Sequence, residues 1–536
     1  MLTWLLAVLL SACSGCVSFH EYVHNGFKVG TNYQKPPAPV AEHWIDKDDV
    51  RVRSQSEDLT HWWTVFRDPV LDRLIADAYR QNLTLRQAAF RVLQARAQFA
   101  VTVGGFFPQV QQANGDRNNI AVTTKTANRS FVATRFYPQY DFGFNLSWEL
   151  DLWGRLRRAI ASAGDQLDAS VENYDGVLVT MLGDVATDYA LLRTFQAQIA
   201  YTKANVDLQQ SILTLVNARY EGGTVTELDV DQAQSVRSQT ASQIPQLEIN
   251  LRQTSNALCI LLGIPPEDLV ARIGDGAIPI APSEVAVGVP ADLLRRRPDV
   301  RAAERQAAAQ AEQIGIAEAA FYPTFFLNGT VSYSAEQFQH VFSPRALNAT
   351  VGPTFQWNLL NYGRLVNNVR AQDALFQQLV LQYQITVLNA ARETENGLVA
   401  FLKSQQQTQY LSDAVDAAGK AVNIAVVQYK GGLVDFNRVA TLEQNLVQYQ
   451  LLLAQAKGAI ANGLITTYRA LGGGWDYRLD PASADAPGLA DLAAHPQEVV
   501  PVPAPVAAPG LMERLPPPAP DPKPPDNQEE SSKAGV

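Results

Sequence analysis

Few residues of this 536-residue chain stand in arrangements that do chemistry. Its six histidines, His20, His24, His43, His61, His340 and His495, form no metal-ligand spacing, and no serine or cysteine nucleophile motif stands out. A phosphate-binding loop is missing as well. An enzyme, a resident metal and an organic cofactor are therefore not expected. What remains is one modification signal and two small groups of acids. Leu10-Ser11-Ala12-Cys13 has the apolar, small, small, cysteine order of a bacterial lipoprotein cleavage site, whose cysteine becomes lipidated. Ser14-Gly15-Cys16 is a second, poorer match, because Cys13 stands where an aliphatic residue is usual. An ordinary signal peptide with incidental cysteines is the plainer alternative, and the CxxC made by Cys13 and Cys16 reads as leader rather than redox site. Asp229 and Asp231 follow Gly222-Gly223, and Asp435 and Glu443 follow Gly431-Gly432. Carboxylates crowded together bind cations or gate a passage. At a helix start they equally well serve only the helix dipole.

The elements that carry these residues are written twice. Trp148, Gly154, Arg155, Leu156, Tyr220, Gly222, Gly223, Leu262 and Gly263 recur as Trp357, Gly363, Arg364, Leu365, Tyr429, Gly431, Gly432, Leu471 and Gly472, each pair 209 positions apart. A constant offset leaves no room for a net insertion. Arg86, Phe106 and Pro108 recur as Arg301, Phe321 and Pro323 at an offset of 215, so the second copy is six residues shorter between its proline and its tryptophan. Two units are too few for a solenoid, which needs at least about three.

Each unit opens on a helix, the first running from Asn82 to a stop at Gly104-Gly105, and continues into a hairpin. The return strand is explicit: Phe142, Phe144, Leu146, Trp148, Leu150 and Leu152 alternate with Gly143, Asn145, Ser147, Glu149 and Asp151. Val351, Pro353, Phe355, Trp357 and Leu359 repeat that alternation, as do Phe325, Leu327, Val331 and Tyr333 on the second outgoing strand. The first outgoing strand, after Pro108, is weakly patterned and is placed mainly by the repeat. Period-two alternation suits a half-buried sheet in a sandwich, and equally a membrane barrel with lipid outside and water inside. The apolar run Leu5 to Leu10, too short for a spanning helix of roughly 20 residues, reads as an export signal and favours the barrel. Two hairpins supply about four strands, whereas single-chain membrane barrels start at about eight. Closure requires several subunits.

Very long helices come after the hairpins. Leu167, Val171, Tyr174, Leu178, Met181, Val185, Tyr189, Leu192, Phe195 and Ile199 succeed one another at spacings of three and four, a coiled-coil seam. No proline interrupts Leu156 to Tyr220. The chain turns at Gly222-Gly223 and returns from about Glu227 to Leu262, with a break expected at Pro245. The other copy runs from Arg364 to Lys430, turns at Gly431-Gly432 and returns from Phe436 to Leu471. With 18% charged residues and a net charge of -10, nothing invites nucleic acid. Beyond Gly472-Gly473-Gly474 the Pro- and Ala-rich composition predicts an extended or disordered tail.

Val289-Pro290-Ala291-Asp292-Leu293-Leu294-Arg295-Arg296-Arg297-Pro298-Asp299-Val300-Arg301-Ala302-Ala303-Glu304, with Ile314-Gly315 and Tyr322-Pro323, resembles a signature of the TolC-like outer-membrane efflux proteins. The resemblance is to their lipoprotein, NodT-like branch, which serves resistance-nodulation-division pumps. Gly30-Thr31-Asn32-Tyr33, Trp62-Trp63, Asp68-Pro69 and Ala470-Leu471-Gly472-Gly473-Gly474-Trp475 match in order as well. It implies a mostly α fold with a small β part, in which a homotrimer closes a 12-stranded β-barrel onto a periplasmic α-helical barrel. It divides the chain into a lipoprotein signal region (1–16), an N-terminal extended or equatorial segment (17–81), a first repeat (82–265), a linker (266–296), a second repeat (297–475) and the tail (476–536).

The same resemblance implies a passive outer-membrane channel for small molecules. Its expected partners are a periplasmic adaptor, an inner-membrane pump of the resistance-nodulation-division type and outer-membrane lipid; a duct for type I protein secretion is the alternative. Tyr220, Gly222, Gly223, Tyr429, Gly431 and Gly432 match the turns that adaptors engage, although glycine also ends a helix for purely conformational reasons. Where the family constricts its tunnel with an apolar ring and an aspartate ring, this chain has Asn437 and Thr441, a departure. Asp229, Asp231, Asp435 and Glu443 are the nearby acids expected to narrow the aperture.

Overall fold

The computed structural model describes residues 19–55, 57–123, 125 and 134–480. In chain order its elements are α1 (Phe19–His24), β1 (Val52–Arg53), α2 (Pro69–Gln81), α3 (Leu83–Gly104), β2 (Val110–Ala121), β3 (Phe136–Leu150), α4 (Arg155–Glu221) and α5 (Glu227–Leu261). Then come α6 (Leu269–Ile273), β4 (Val285–Ala286), α7 (Leu293–Arg296), α8 (Pro298–Ala319), β5 (Thr324–Ala335), β6 (Leu347–Gln356), α9 (Arg364–Lys430) and α10 (Phe436–Ala470). The duplication is exact in its helices: α4 and α9 each have 67 residues, α5 and α10 each 35. At a rise of 1.5 Å per residue the longer pair extends about 100 Å.

Local chemistry sets the boundaries. Asp68 caps α2 by accepting from the Val70 and Leu71 amides, with Pro69 at the first helical position. The Asn82 side chain accepts from the Leu85 amide at 2.8 Å and donates to the Leu261 carbonyl at 2.8 Å, so one residue starts α3 and ties it to the end of α5. Gly154 and Gly363, at φ 80° and 82°, let the chain swing from strand into α4 and α9. Along α4, Tyr174, Leu178, Met181, Val185, Tyr189, Leu192 and Ile199 are all buried, as the seam requires.

Four strands form one antiparallel sheet in the order β2-β3-β5-β6. Its register aligns Phe142, Phe144, Trp148 and Leu150 with Tyr333, Val331, Leu327 and Phe325, and Phe325 in turn with Phe355. One face of these three strands is therefore apolar. The other is polar and hydrogen-bonded across strands: Ser147 donates to Asn328 at 2.7 Å and Asn328 to Thr354 at 2.7 Å. On β2 both faces are polar, which explains its weak sequence pattern. Among the described residues β2 pairs only with β3 and β6 only with β5, leaving two open edges.

One expectation is corrected: Pro245 does not break α5, which runs through it with the ring exposed. Residues 17–81 contain α1, β1 and α2, and β1 pairs in parallel with β4 of the linker. No described helix is long and apolar enough to cross a membrane.

The motif at the head of the second repeat is a structural knot. Buried Arg297 donates to Asp299, Glu393 and the Ala470 carbonyl, joining α8 to α9 and α10. Arg301 stacks on Trp475 at 4.6 Å. Gly315 leaves room for fully buried Arg158, whose guanidinium would lie 2.7 Å or less from an added Cβ. Arg158 binds the Val29 and Gly30 carbonyls and Glu312, fixing the N-terminal segment against α4 and α8.

The two strand-to-helix glycines are unequal. A Cβ on Gly154 would meet the Lys28 Cα at 2.9 Å, whereas one on Gly363 meets nothing nearer than the Asn367 Nδ2 at 3.7 Å. Gly154→Ala should lose about 2–3 kcal/mol and Gly363→Ala about 1 kcal/mol. Gly104→Ala, in open space at a helix end, should lose nothing; thermal melts of the three variants check the ranking.

Candidate functional site

Two features stand out as surfaces for function: the two-faced sheet and the paired turns at the far end of the long helices. Cys13 and Cys16 lie outside the described residues. The residues from Phe19 onward are placed, however. The Tyr22 hydroxyl on α1 donates to the Leu152 carbonyl at 2.6 Å, and Arg157 donates to the Gly26 and Phe27 carbonyls. The chain thus enters beside the base of β3, at the junction of sheet and helices.

At the turns, the repeat predicts equivalent tyrosines, and packing makes them different. Tyr220 is 45% exposed, whereas Tyr429 is 2% exposed. Tyr429 belongs to the apolar cluster between the four helices, and Arg219 closes over it. Its guanidinium lies 4.6 Å from the centre of the Tyr429 ring and donates to the Tyr429 carbonyl, clamping the first turn onto the second. On its other side Tyr429 meets the Phe436 ring at 5.7 Å. The sequence does not single Arg219 out as a site residue. Its equivalent in the second copy is Gln428, but charge breaks the duplication just as clearly at Glu221 and Lys430, Asp229 and Arg438, and Asp231 and Ala440. Gly223 and Gly432 adopt φ 71° and 74°, so both turns use the glycine for a left-handed residue.

The six expected aperture residues fall into three environments. Asp229 and Asp435 are helix caps: Asp229 accepts from the Thr226 amide at 3.1 Å and Asp435 from the Arg438 amide at 3.0 Å. Asp231, Asn437 and Thr441 are exposed, the last two one turn apart on a single face of α10. Glu443 stands apart from the other five. It is 3% exposed and lies within the buried stripe Phe436, Val439, Ala440, Leu446 and Val447, packed against other helices of its own chain. Its Oε1 has no hydrogen-bond partner, and burial alone raises its pKa from 4.5 to about 7. Its spacing of 3, 4 and 7 residues from these apolar neighbours is legible in the sequence, although an acidic side chain by itself predicts solvent.

Above the turns an apolar cluster that includes Ile212, Val216, Val236, Tyr429, Phe436 and Val439 knits all four helices together. A polar layer lies beyond it: Asn205 donates to Gln450 at 2.6 Å between α4 and α10, and Gln444 to Gln239 at 3.1 Å between α10 and α5. Among the described residues no group of His, Cys, Asp and Glu is placed to hold a metal ion.

Among known proteins, the family model for "Outer membrane efflux protein" matches residues 74–264 and 289–473. "Nodulation protein T" of Rhizobium leguminosarum bv. trifolii is 28% identical over 85% of this chain and 97% of that protein. "Toluene efflux pump outer membrane protein TtgI" of Pseudomonas putida is 31% identical over 83% of this chain and 94% of that protein. Among solved structures, the outer-membrane channel OprN superposes with a TM-score of 0.78 at 28% identity, covering 83% of this chain and 99% of that one.

Glu443 generates a pH prediction. An acid whose pKa is raised by folding holds its proton after the unfolded chain has released it. Its share of stability is full below pH 4.5, falls as pH rises and is gone above about 7. Over that window wild type should lose about 3 kcal/mol relative to Glu443→Gln, whose melts should be flatter with pH. Parallel slopes for the two proteins would sink the assignment.

Proposed function

Because this chain belongs to the outer membrane efflux protein family, we propose that it is the outer-membrane channel of a tripartite efflux system, a passive conduit for small molecules. The two-faced sheet with open edges on β2 and β6 carries the proposal. Lipid cannot hydrogen-bond the unpaired amides and carbonyls of an edge strand, so a four-stranded sheet persists there only when identical neighbours close it. Three copies give twelve strands, with the apolar face toward lipid and the Ser147, Asn328 and Thr354 face toward water.

The long helices of each copy continue the passage through the periplasm. An adaptor engages the turns at Tyr220, Gly222, Gly223, Tyr429, Gly431 and Gly432. The adaptor in turn connects the channel to an inner-membrane pump of the resistance-nodulation-division type. Exposed Asp231, Asn437 and Thr441 narrow the aperture, Asp229 and Asp435 brace the helix starts around it, and Glu443 packs behind them. Lipidation of Cys13 or Cys16 fits the position of α1: Phe19 comes three residues after Cys16, a reach of about 10 Å. An acyl chain on that thiol would enter the membrane at the base of the sheet. The name of the toluene-pump relative supports an efflux role, and cargo selection belongs to the pump rather than the conduit wall.

In planar bilayers the purified protein should form a trimer that conducts. Arg219→Gln, which removes the clamp on Tyr429, should raise single-channel conductance or open probability several-fold. A monomer in the membrane, or a trimer that never conducts even with the clamp removed, would refute the proposal. Cys13→Ser and Cys16→Ser, tested by mass spectrometry of the mature protein, identify the lipidated residue; acylation on neither removes the anchor.

A further inference from the structure

At the end of the sheet far from the helices, the chain between β5 and β6 folds back over the apolar face. Phe338 packs on Tyr140 and Phe142 at 5.6 and 6.4 Å, and Phe342 on Phe142 and Tyr333 at 5.5 and 5.7 Å, all three partners lying on that face by register. Both loop rings remain exposed, as does Phe136 at the start of β3. Two guanidiniums lie on rings of the same face: Arg135 over Phe136 at 4.8 Å, and Arg117 over Tyr140 at 5.7 Å. Arg117 also donates to the Tyr140 hydroxyl at 3.2 Å.

Neither arginine has a carboxylate partner among the described residues. The nearest strand acids, Asp116 and Asp141, alternate onto the opposite, polar face, where Asp141 accepts from Gln139 and Ser334. Arg117 and Arg135 therefore bring two positive charges to the ring-bearing face. Cations left unpaired beside outward-facing aromatic rings suit an interface where acyl chains meet anionic headgroups.

We propose that this rim, built from Arg117, Arg135, Phe136, Tyr140, Phe338 and Phe342, binds a phosphorylated lipid of the outer leaflet, the rings against its acyl region and the guanidiniums on its phosphates. The inference rests on the outer-membrane reading above. Bis-phosphorylated lipid A and the same lipid stripped of phosphate are the probes, offered to the full-length protein in detergent and counted by native mass spectrometry.

Wild type should retain the phosphorylated lipid preferentially, and the Arg117→Gln, Arg135→Gln double variant should lose roughly ten- to thirty-fold of that preference. Phe338→Ser with Phe342→Ser should weaken both lipids alike. Equal retention of the two lipids by wild type, or an unchanged preference in the double variant, overturns the proposal. Conductance in bilayers of neutral lipid separates the two readings. A conducting protein without phosphate preference defeats the rim alone, whereas a protein that conducts in no lipid defeats the channel.

Discussion

Every peptide group that enters a lipid phase must find a partner within protein, and a strand at the edge of a sheet has a row of groups that do not. That constraint governs this chain. Its sheet is long enough and sufficiently two-faced to sit between lipid and water, yet it stops at four strands with β2 and β6 unpaired. The proposed trimer is the consequence of that shortfall. The polar character of both faces of β2 and the exposed apolar residues of β6, Val351 and Phe355 among them, belong to strands that a neighbouring copy would flank.

The helices solve a different problem. A helix of 67 residues cannot be held by a compact core, so it is stabilised along its length by a seam of large apolar side chains. Near the turns the packing is apolar and strongly connected, through Tyr429, Phe436 and the Arg219 clamp. One layer above, it becomes polar, with Asn205 and Gln450 bonded across helices and Glu443 buried without a counter-charge. Apolar packing holds by area and tolerates little separation, whereas a layer with unsatisfied polar atoms loses less when water enters.

The equatorial knot connects these two regimes. Arg297, Arg158 and Arg301 each bridge segments far apart in sequence, and the glycine at 315 exists to admit one of them. The motif that carries the family resemblance is therefore a motif of packing: it ties α8 to α4, α9 and α10.

Periodicity and repetition were enough to establish the elements. Alternation at two residues, seams at three and four, and a constant offset between copies are properties of the covalent chain, and they predicted both hairpins, all four long helices and both turns. The environment of single side chains was not determined in that way. Tyr220 and Tyr429 are equivalent in sequence but not in burial, because the apolar cluster between the helices and Arg219 from the other turn enclose only one of them. Glu443 reads as a solvent-facing acid until α10 is rotated into its place, where the stripe from Phe436 to Val447 carries it inside. Such outcomes depend on which neighbours arrive from distant parts of the chain, and only the packed helices decide that.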